Sequence, residues 1–191
     1  MPIITVPHKT LRQKAQPVTK IDKRTLKSIS RLEKTLLDTK KSTTVGVGLA
    51  APQIDHSLSV FCTMLPDRFD QTHLRTFINP VMIDHSTELI LGETPRQKKP
   101  REEGCLSIPG LWGPVPRWTW VKYQFQVIAN GELIDQEEVF KNFPARVMQH
   151  EFDHLQGILY TDYSLQLDLP VFKQTKGGGY EEVDKRILEK W

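Results

Sequence analysis

Two histidines four residues apart with a glutamate directly after the first, His150, Glu151 and His154 in the stretch QHEFDHLQG, are the residues whose types and spacing point first to chemistry. On a helix both imidazoles project from one face, and Glu151 sits about 100° round the same surface from His150. Imidazoles placed in this way hold a metal ion, and the neighbouring carboxylate is positioned to exchange a proton with water on that ion. By residue frequencies such a pentapeptide arises by chance in about one chain in a hundred, so the pattern needs a third ligand to become specific.

Cys105, in the segment EGCLSIPG at 103–110, is the best candidate for that ligand. A thiolate would complete a Cys-His-His set and leave one position open for water. An isolated cysteine is more often a buried, inert thiol, and Cys62 reads that way because it lies inside the apolar run at 58–65. His56, His73 and His85 stand in polar surroundings without ligand spacing and read as surface residues. In TTVGVGLAAPQ, 43–53, Gly46 and Gly48 alternate with Val45, Val47 and Leu49. Alternation predicts a strand, with glycines permitting close approach of another backbone or a ligand, although a glycine-relieved turn is an equal reading. The stretch lacks the GK[ST] ending and the GxGxxG spacing, so it is not a phosphate loop.

The histidine pair needs a helix to carry it. Asn142 and Pro144 can start one, 145–156 fill it, and Gly157 can end it, with Met148, Phe152 and Leu155 on the side opposite the histidines. A second helix at 22–40, capped by Asp22, presents Leu26, Ile29, Leu32, Leu36 and Leu37 as a core stripe. Strands are predicted at 58–65, at 74–83 with an interruption at Asn79 and Pro80, at 118–129 and at 132–140. Asn130 and Gly131 between the last two are a two-residue hairpin signal. Residues 3–21 read as an irregular arm, 92–102 as a polar loop, and 159–169 as mostly apolar. The triple glycine Gly177 to Gly179 reads as a hinge before a short charged helix at 181–191. The fold class expected is α+β: mixed, largely antiparallel sheets around a central 145–156 helix, in one catalytic domain over 1–191 with a variable tail from about 170.

Composition narrows the function classes. A chain of 191 residues buries a core that needs neither disulfides nor metal, so a metal here is expected to be catalytic rather than structural. Two cysteines without a secretory h-region point to a reducing compartment. No apolar run approaches a membrane span, and no nucleic-acid motif is present. The net charge of +3 is a mild excess, compatible with ordinary solvation or with an RNA-rich surface. The first acidic residue is Asp22, so the opening superficially looks like an organellar transit peptide.

Three stretches in order, GVGLAAPQ (46–53), EGCLSIPG (103–110) and QHEFDHLQG (149–157), resemble the three signature motifs of the peptide deformylases. TVPHKTLRQKAQPV at 5–18 resembles the family's opening, which argues for an arm of the fold instead of a transit peptide; the likeness runs to about Tyr163. The resemblance implies hydrolysis of the N-formyl group from the N-terminal formylmethionine of nascent polypeptides, releasing formate and a free amine. It implies one divalent ion on Cys105, His150 and His154, physiologically Fe(II), with Ni, Co or Zn able to take the same place. Glu151 would carry the proton, and the side-chain amide of Gln53 and the backbone N–H of Leu106 would meet the oxyanion. Val47, Gly48, Ile108, Gly110 and Val147 would line a strand-walled groove and methionine pocket, and Trp112 stands where many relatives have an arginine beside the substrate. Asp153, about 60° from His150 on the helix, could orient a ligand, and Glu103 and Arg117 could pair to fix the cysteine loop; a structural ion pair is an equal reading of each. The implied partners are N-formylmethionyl peptides and, transiently, the ribosome, in a cytoplasm of bacterial type or an organelle. The loop at 92–102 is longer than in compact bacterial members, and the tail does not match their long C-terminal helix. Two other classes compete: a thermolysin-like metallopeptidase on the same helix, and a peptide-binding module without catalysis.

Overall fold

The alternation of small and apolar residues in GLA and VFCTMLP builds one sheet with a helix on each of its faces. A computed structural model describes residues 2–39, 46–66, 71–91, 102–175 and 179–191. The polar loop apart from Glu102, Thr43 to Val45 of the glycine stretch, and Gly177 and Gly178 of the expected hinge lie outside the described residues.

In chain order the strands are β1 (Gly48–Ala50), β2 (Val60–Pro66), β3 (Thr72–His85), β4 (Leu89–Ile90), β5 (Glu103–Cys105) and β6 (Ile108–Gly113). They continue with β7 (Arg117–Trp118), β8 (Trp120–Ala129), β9 (Glu132–Lys141), β10 (Phe172–Gln174) and β11 (Tyr180–Glu182). The helices are α1 (Lys23–Thr39), α2 (Asn142–Gln156) and α3 (Tyr160–Gln166), with 3-10 turns at Lys9–Arg12, Ala51–Ile54 and Lys185–Lys190. Strands pair in the orders β1-β2-β3-β8-β9, β11-β10-β6-β5 and β4-β7, and every pair is antiparallel. The fold is α+β, and no helix is long and apolar enough to cross a membrane among the described residues.

Because successive side chains in a strand face opposite ways, the five-stranded sheet sorts its residues by parity. Ala50, Phe61, Phe77, Tyr123 and Phe125 pack with Met148 and Leu155 of α2. Leu49, Val60, Cys62 and Met64 pack with Ile29, Leu32 and Leu36 of α1 on the other face. Rings of Phe61, Phe77 and Phe125 meet at centroid distances of 5.1 and 4.8 Å, and each buried ring contributes about 1.5–3 kcal/mol. A third cluster, with Leu11, Ile108, Leu159, Tyr160 and Leu188, ties the N-terminal arm to β6, α3 and the tail.

Several sequence expectations are met. Asp22 caps α1 by accepting from the Thr25 N–H at 2.8 Å, Gly157 ends α2 at φ 75°, and Asn130 and Gly131 turn the β8–β9 hairpin at φ 53° and 82°. Others are corrected. Leu26 and Leu37 are 43% and 42% exposed, because only one side of α1 meets the sheet. Asn79 and Pro80 do not break the strand: β3 runs through them with a register shift between Ile78 and Val81. Asn79 adopts φ 49°, and its side chain accepts from Val18 N–H and donates to Val18 O, both at 2.8 Å, so a bulge anchors the arm. The tail holds β11 and a 3-10 turn where a helix was expected. His56 is half-buried, with Nδ1 lacking a partner among the described residues, and burial aided by Arg31 lowers its pKa. His85 is exposed, as expected of a surface residue, and stacks on Trp118 at 3.9 Å.

Candidate active site

α2 presents His150, Glu151 and His154 toward β1 and the β5–β6 hairpin, and the turn of that hairpin brings Cys105 to them. One ligand atom from each of Cys105, His150 and His154 lies within 4.8 Å of the others, and Cys105 Sγ is 3.2 Å from His154 Nε2. A tetrahedral ion with bonds of about 2.0–2.3 Å requires ligand separations of about 3.4–3.7 Å, so the cluster needs only small side-chain shifts to close on one. The donor set, one soft thiolate and two imidazoles, suits several borderline divalent metals. Burial, with His150 adding to it, holds the His154 pKa well below its usual value, which keeps that imidazole in the ligating neutral form.

A buried ionic layer holds His150 of this cluster. His150 Nδ1 is 3.0 Å from Glu103 Oε2, which leaves its Nε2 for the metal side. Glu103 accepts two bonds from Arg117, both at 2.9 Å, and one from Arg146 Nη1 at 2.7 Å. Burial alone would raise the Glu103 pKa, but Arg117 and His150 outweigh it and hold the carboxyl well below its ordinary range. Arg117 also donates to Asp153 at 2.6 Å, and Tyr163 OH donates to the same Asp153 oxygen at 3.1 Å. Among the described residues, Asp153 therefore reaches His150 through Arg117 and Glu103 and bonds neither histidine directly.

Glu151 is 4% exposed, and its Oε2 has no partner among the described residues. Burial pushes its carboxyl up to about 7, with Glu103 adding to the rise and His150 opposing it. Gly48 sits directly beneath this carboxylate: a β-carbon there would collide with Oε1, Cδ and Cγ of Glu151. The glycine was expected to admit a substrate backbone, and the side chain it admits in the folded chain is Glu151. Gly46 is similarly crowded by Leu106, whose Cδ1 would lie 2.6 Å from a β-carbon.

Gln53 is 1% exposed and pinned at both ends of its amide. Its Oε1 accepts from Ala50 N–H at 2.8 Å, and its Nε2 donates to Ser107 Oγ at 3.2 Å and faces Cys105 Sγ at 3.5 Å. Leu106 and Ser107 form the hairpin turn, and Ser107 N–H points at Cys105 Sγ from 3.4 Å. Cys105, Leu106, Gln53, Glu151 and both histidines thus converge. Of the expected substrate contacts, Gly48 is at this centre, Val147 is buried and Val47 is 37% exposed. Ile108 packs into the third core cluster, Gly110 is exposed at φ 77°, and the Trp112 ring lies over its cross-strand neighbour Gly104. Cys62 is fully buried against Leu49 O and takes no part.

Sequence reasoning missed three supporting side chains. Ser107 holds the Gln53 amide. Arg146, besides Glu103, donates to Val115 O at 2.9 Å and Ile90 O at 3.0 Å. Gln149 reads the Trp118 backbone in both directions, accepting at 3.0 Å and donating at 3.1 Å, and so fastens α2 to β7. The available signal was position: Arg146 lies one turn before His150 on the same helix face, where a surface charge has no place.

Comparison with known proteins agrees with this geometry. The family model for polypeptide deformylase matches residues 1–168. The chain is 39% identical over 152 residues to a peptide deformylase of Pseudothermotoga lettingae, covering 80% of this chain and 75% of the relative. It is 34% identical over 190 residues to that of Psychrobacter arcticus, covering 100% and 90%. Among solved structures, the Thermotoga maritima enzyme superposes with a TM-score of 0.68 at 34% identity over 84% of this chain and 95% of that one. A class I type b enzyme from Acinetobacter baumannii with Met-Ala-Ser bound gives 0.68 at 31% identity, over 85% and 97%. With the family model spanning most of the chain and a Cys-His-His cluster closing around a buried glutamate, this protein belongs to the polypeptide deformylase family, metal-dependent hydrolases that remove N-formyl groups.

Proposed function

We propose that Cys105, His150 and His154 hold one divalent ion, physiologically Fe(II), and that the substrate is the N-terminal formylmethionine of nascent polypeptides. The convergence of those three ligands with Glu151 and Gln53 carries the reading. When bound, such an ion supplies Lewis acidity, making water a nucleophile near neutrality and polarising a carbonyl.

The chain's own residues do the rest. A carboxyl poised at about 7 is available in both forms near neutral pH. Glu151 accepts the proton of the attacking water and returns it to the leaving nitrogen, which must be protonated because an amide anion is too basic to depart. The Gln53 amide cannot rotate away, since Ala50 and Ser107 hold its two ends. Its second N–H, which meets Cys105 Sγ at the long distance of 3.5 Å, is the one that would turn to the oxyanion together with the backbone N–H of Leu106, and losing one such donor costs about 2.7–4 kcal/mol of transition-state stabilisation. β1 is the edge of the five-stranded sheet, and with the Ala50 N–H taken by Gln53 it is the Gly48 end that is left to pair with an extended peptide, while Val47 and Val147 flank the methionine side chain. Binding of Met-Ala-Ser by the Acinetobacter relative supports a peptide that begins with methionine as the ligand. A cytoplasmic setting of bacterial type and transient ribosome contact complete the proposal.

The test is formate release from formyl-Met-Ala set beside cleavage of unblocked peptides. Internal cleavage without formate would replace this reading with a peptidase. Activity that fades in air but persists under argon supports Fe(II), because ferrous ion and thiolate are both oxidisable; equal decay in both argues for another metal.

A further inference from the structure

The outward face of α1 has no part in the site. Lys23, Lys27 and Lys34 are exposed along it, with Arg24 and Arg31 on one flank. Two of the helix's carboxylates are turned away from this face: Glu33 accepts from Thr76 Oγ1, and Asp22 caps the helix and pairs with Lys20 at 3.3 Å. Only Asp38 opposes the row. Five cations against one carboxylate exceed the net +3 of the whole chain, so the rest of the molecule is close to neutral. Lys23, Lys27 and Lys34 form no ion pair among the described residues. Beside them, Lys27, Ser30, Arg31, Lys34, Thr35 and Asp38 line an open groove of about 310 Å³. At a rise of about 1.5 Å per residue, Lys23, Lys27 and Lys34 stand about 6 and 10 Å apart along one line of about 17 Å, which is the order of the phosphate spacing along a nucleic-acid strand or a small multiple of it.

We infer that the outer face of α1 is a docking surface for an RNA phosphate backbone. A straight row of cations fits a linear polyanion. Arg24 offers a forked donor to phosphate, and the Ser30 hydroxyl adds a neutral one. A membrane surface fits less well, because the exposed face holds no aromatic side chain to enter the interface and its two leucines lie to one side. α1 and α2 cover opposite faces of the five-stranded sheet, so RNA on α1 leaves the approach to Glu151 free. The surface rests on the proposed nascent-chain substrate only for its setting, since such substrates emerge in RNA-rich surroundings.

The test is fluorescence anisotropy of the metal-loaded protein with a labelled single-stranded RNA oligonucleotide across a salt series. Lys23→Glu/Lys27→Glu/Lys34→Glu is compared with Lys14→Glu/Lys173→Glu/Lys190→Glu, which makes the same charge change at exposed positions elsewhere. The α1 variant should bind RNA about tenfold or more weakly, with its log–log salt slope flattened by about 2, while the control stays near wild type. Equal weakening of both variants, or no binding by the wild type, overturns the inference. Retention on mixed phosphatidylcholine and phosphatidylglycerol vesicles without RNA binding also overturns it, in favour of a membrane. Formate release should be unchanged in the α1 variant. Failure of the wild type to release formate counts against the proposed function and leaves the RNA result standing.

Discussion

Glu103→Gln tests the buried ionic layer with almost no change of shape. Glu103 accepts four hydrogen bonds on two oxygens, from Arg117 twice, Arg146 and His150, and it is 6% exposed. An amide has one oxygen to accept with, and its NH₂ would face guanidinium donors. Removing one partner of a buried ion pair costs about 3–5 kcal/mol. Arg117 keeps Asp153, and Arg146 keeps the carbonyls of Val115 and Ile90, so the lower end, about 3 kcal/mol, is expected. The measurement is urea unfolding of the metal-free protein, which separates folding from metal binding. The pH dependence has a definite sign. The folded-state pKa of Glu103 is depressed below its unfolded value, so its contribution is complete above about 4.3 and is lost as pH falls through the folded value. The gap between wild type and variant should therefore be full at pH 7 and narrow in acid. Separately, His150 loses the acceptor that sets its tautomer, and chelator competition should show metal held about 10–100-fold more weakly. A loss under about 1 kcal/mol at pH 7 together with unchanged metal affinity would refute the account of the layer.

Glu151→Ala should retain metal by elemental analysis and lose about 10²–10⁴-fold in turnover; surviving activity would remove Glu151 from the proton path. Cys105→Ser should lose metal on dialysis, and metal content equal to wild type would remove Cys105 from the ligand set. Gly48→Ala drives a β-carbon into the Glu151 carboxylate, so turnover should fall sharply with metal content unchanged. In the Glu151→Ala background the same Gly48→Ala substitution should cost nothing further, and a full additional loss would show that Gly48 acts through something other than Glu151.

The reactive residues were legible because their chemistry restricts them to few residue types, and a helix converts the spacing of His150 and His154 into a shared face. The Asn130–Gly131 turn was legible because it demands two positive φ values in succession, which few other residue pairs supply. Asn79 defeated the same logic. It too adopts a positive φ, but the partner that makes it a bulge instead of a break is the backbone of Val18, 61 residues away. Ser107, Arg146 and Gln149 were invisible for a related reason: each serves a group that the fold delivers from 31 to 56 residues away. The core stripe of α1 was too wide by Leu26 and Leu37 because periodicity marks a helix's apolar side without marking how much of it the neighbouring sheet can cover.

The three motifs are separate in sequence but interlocked in pairs, and this says more about the site than any one of them. Gly48 of the first makes room for Glu151 of the third. Gln53 of the first holds Ser107 and faces Cys105 of the second. Glu103 of the second fixes His150 of the third. The first motif thus constrains groups of the other two, the second holds Gln53 and His150, and the third carries the side chains that both constrain. A thermolysin-like arrangement would need only the helix and one more ligand. Here the glycine strand is required before the glutamate can sit where it does, and the cysteine turn is required before either the amide of Gln53 or the imidazole of His150 has an orientation. A catalytic centre whose parts are held by one another in this way has little freedom to reorganise during reaction, which is the condition under which fixed donors and a single carboxylate stabilise a transition state more than they stabilise the substrate.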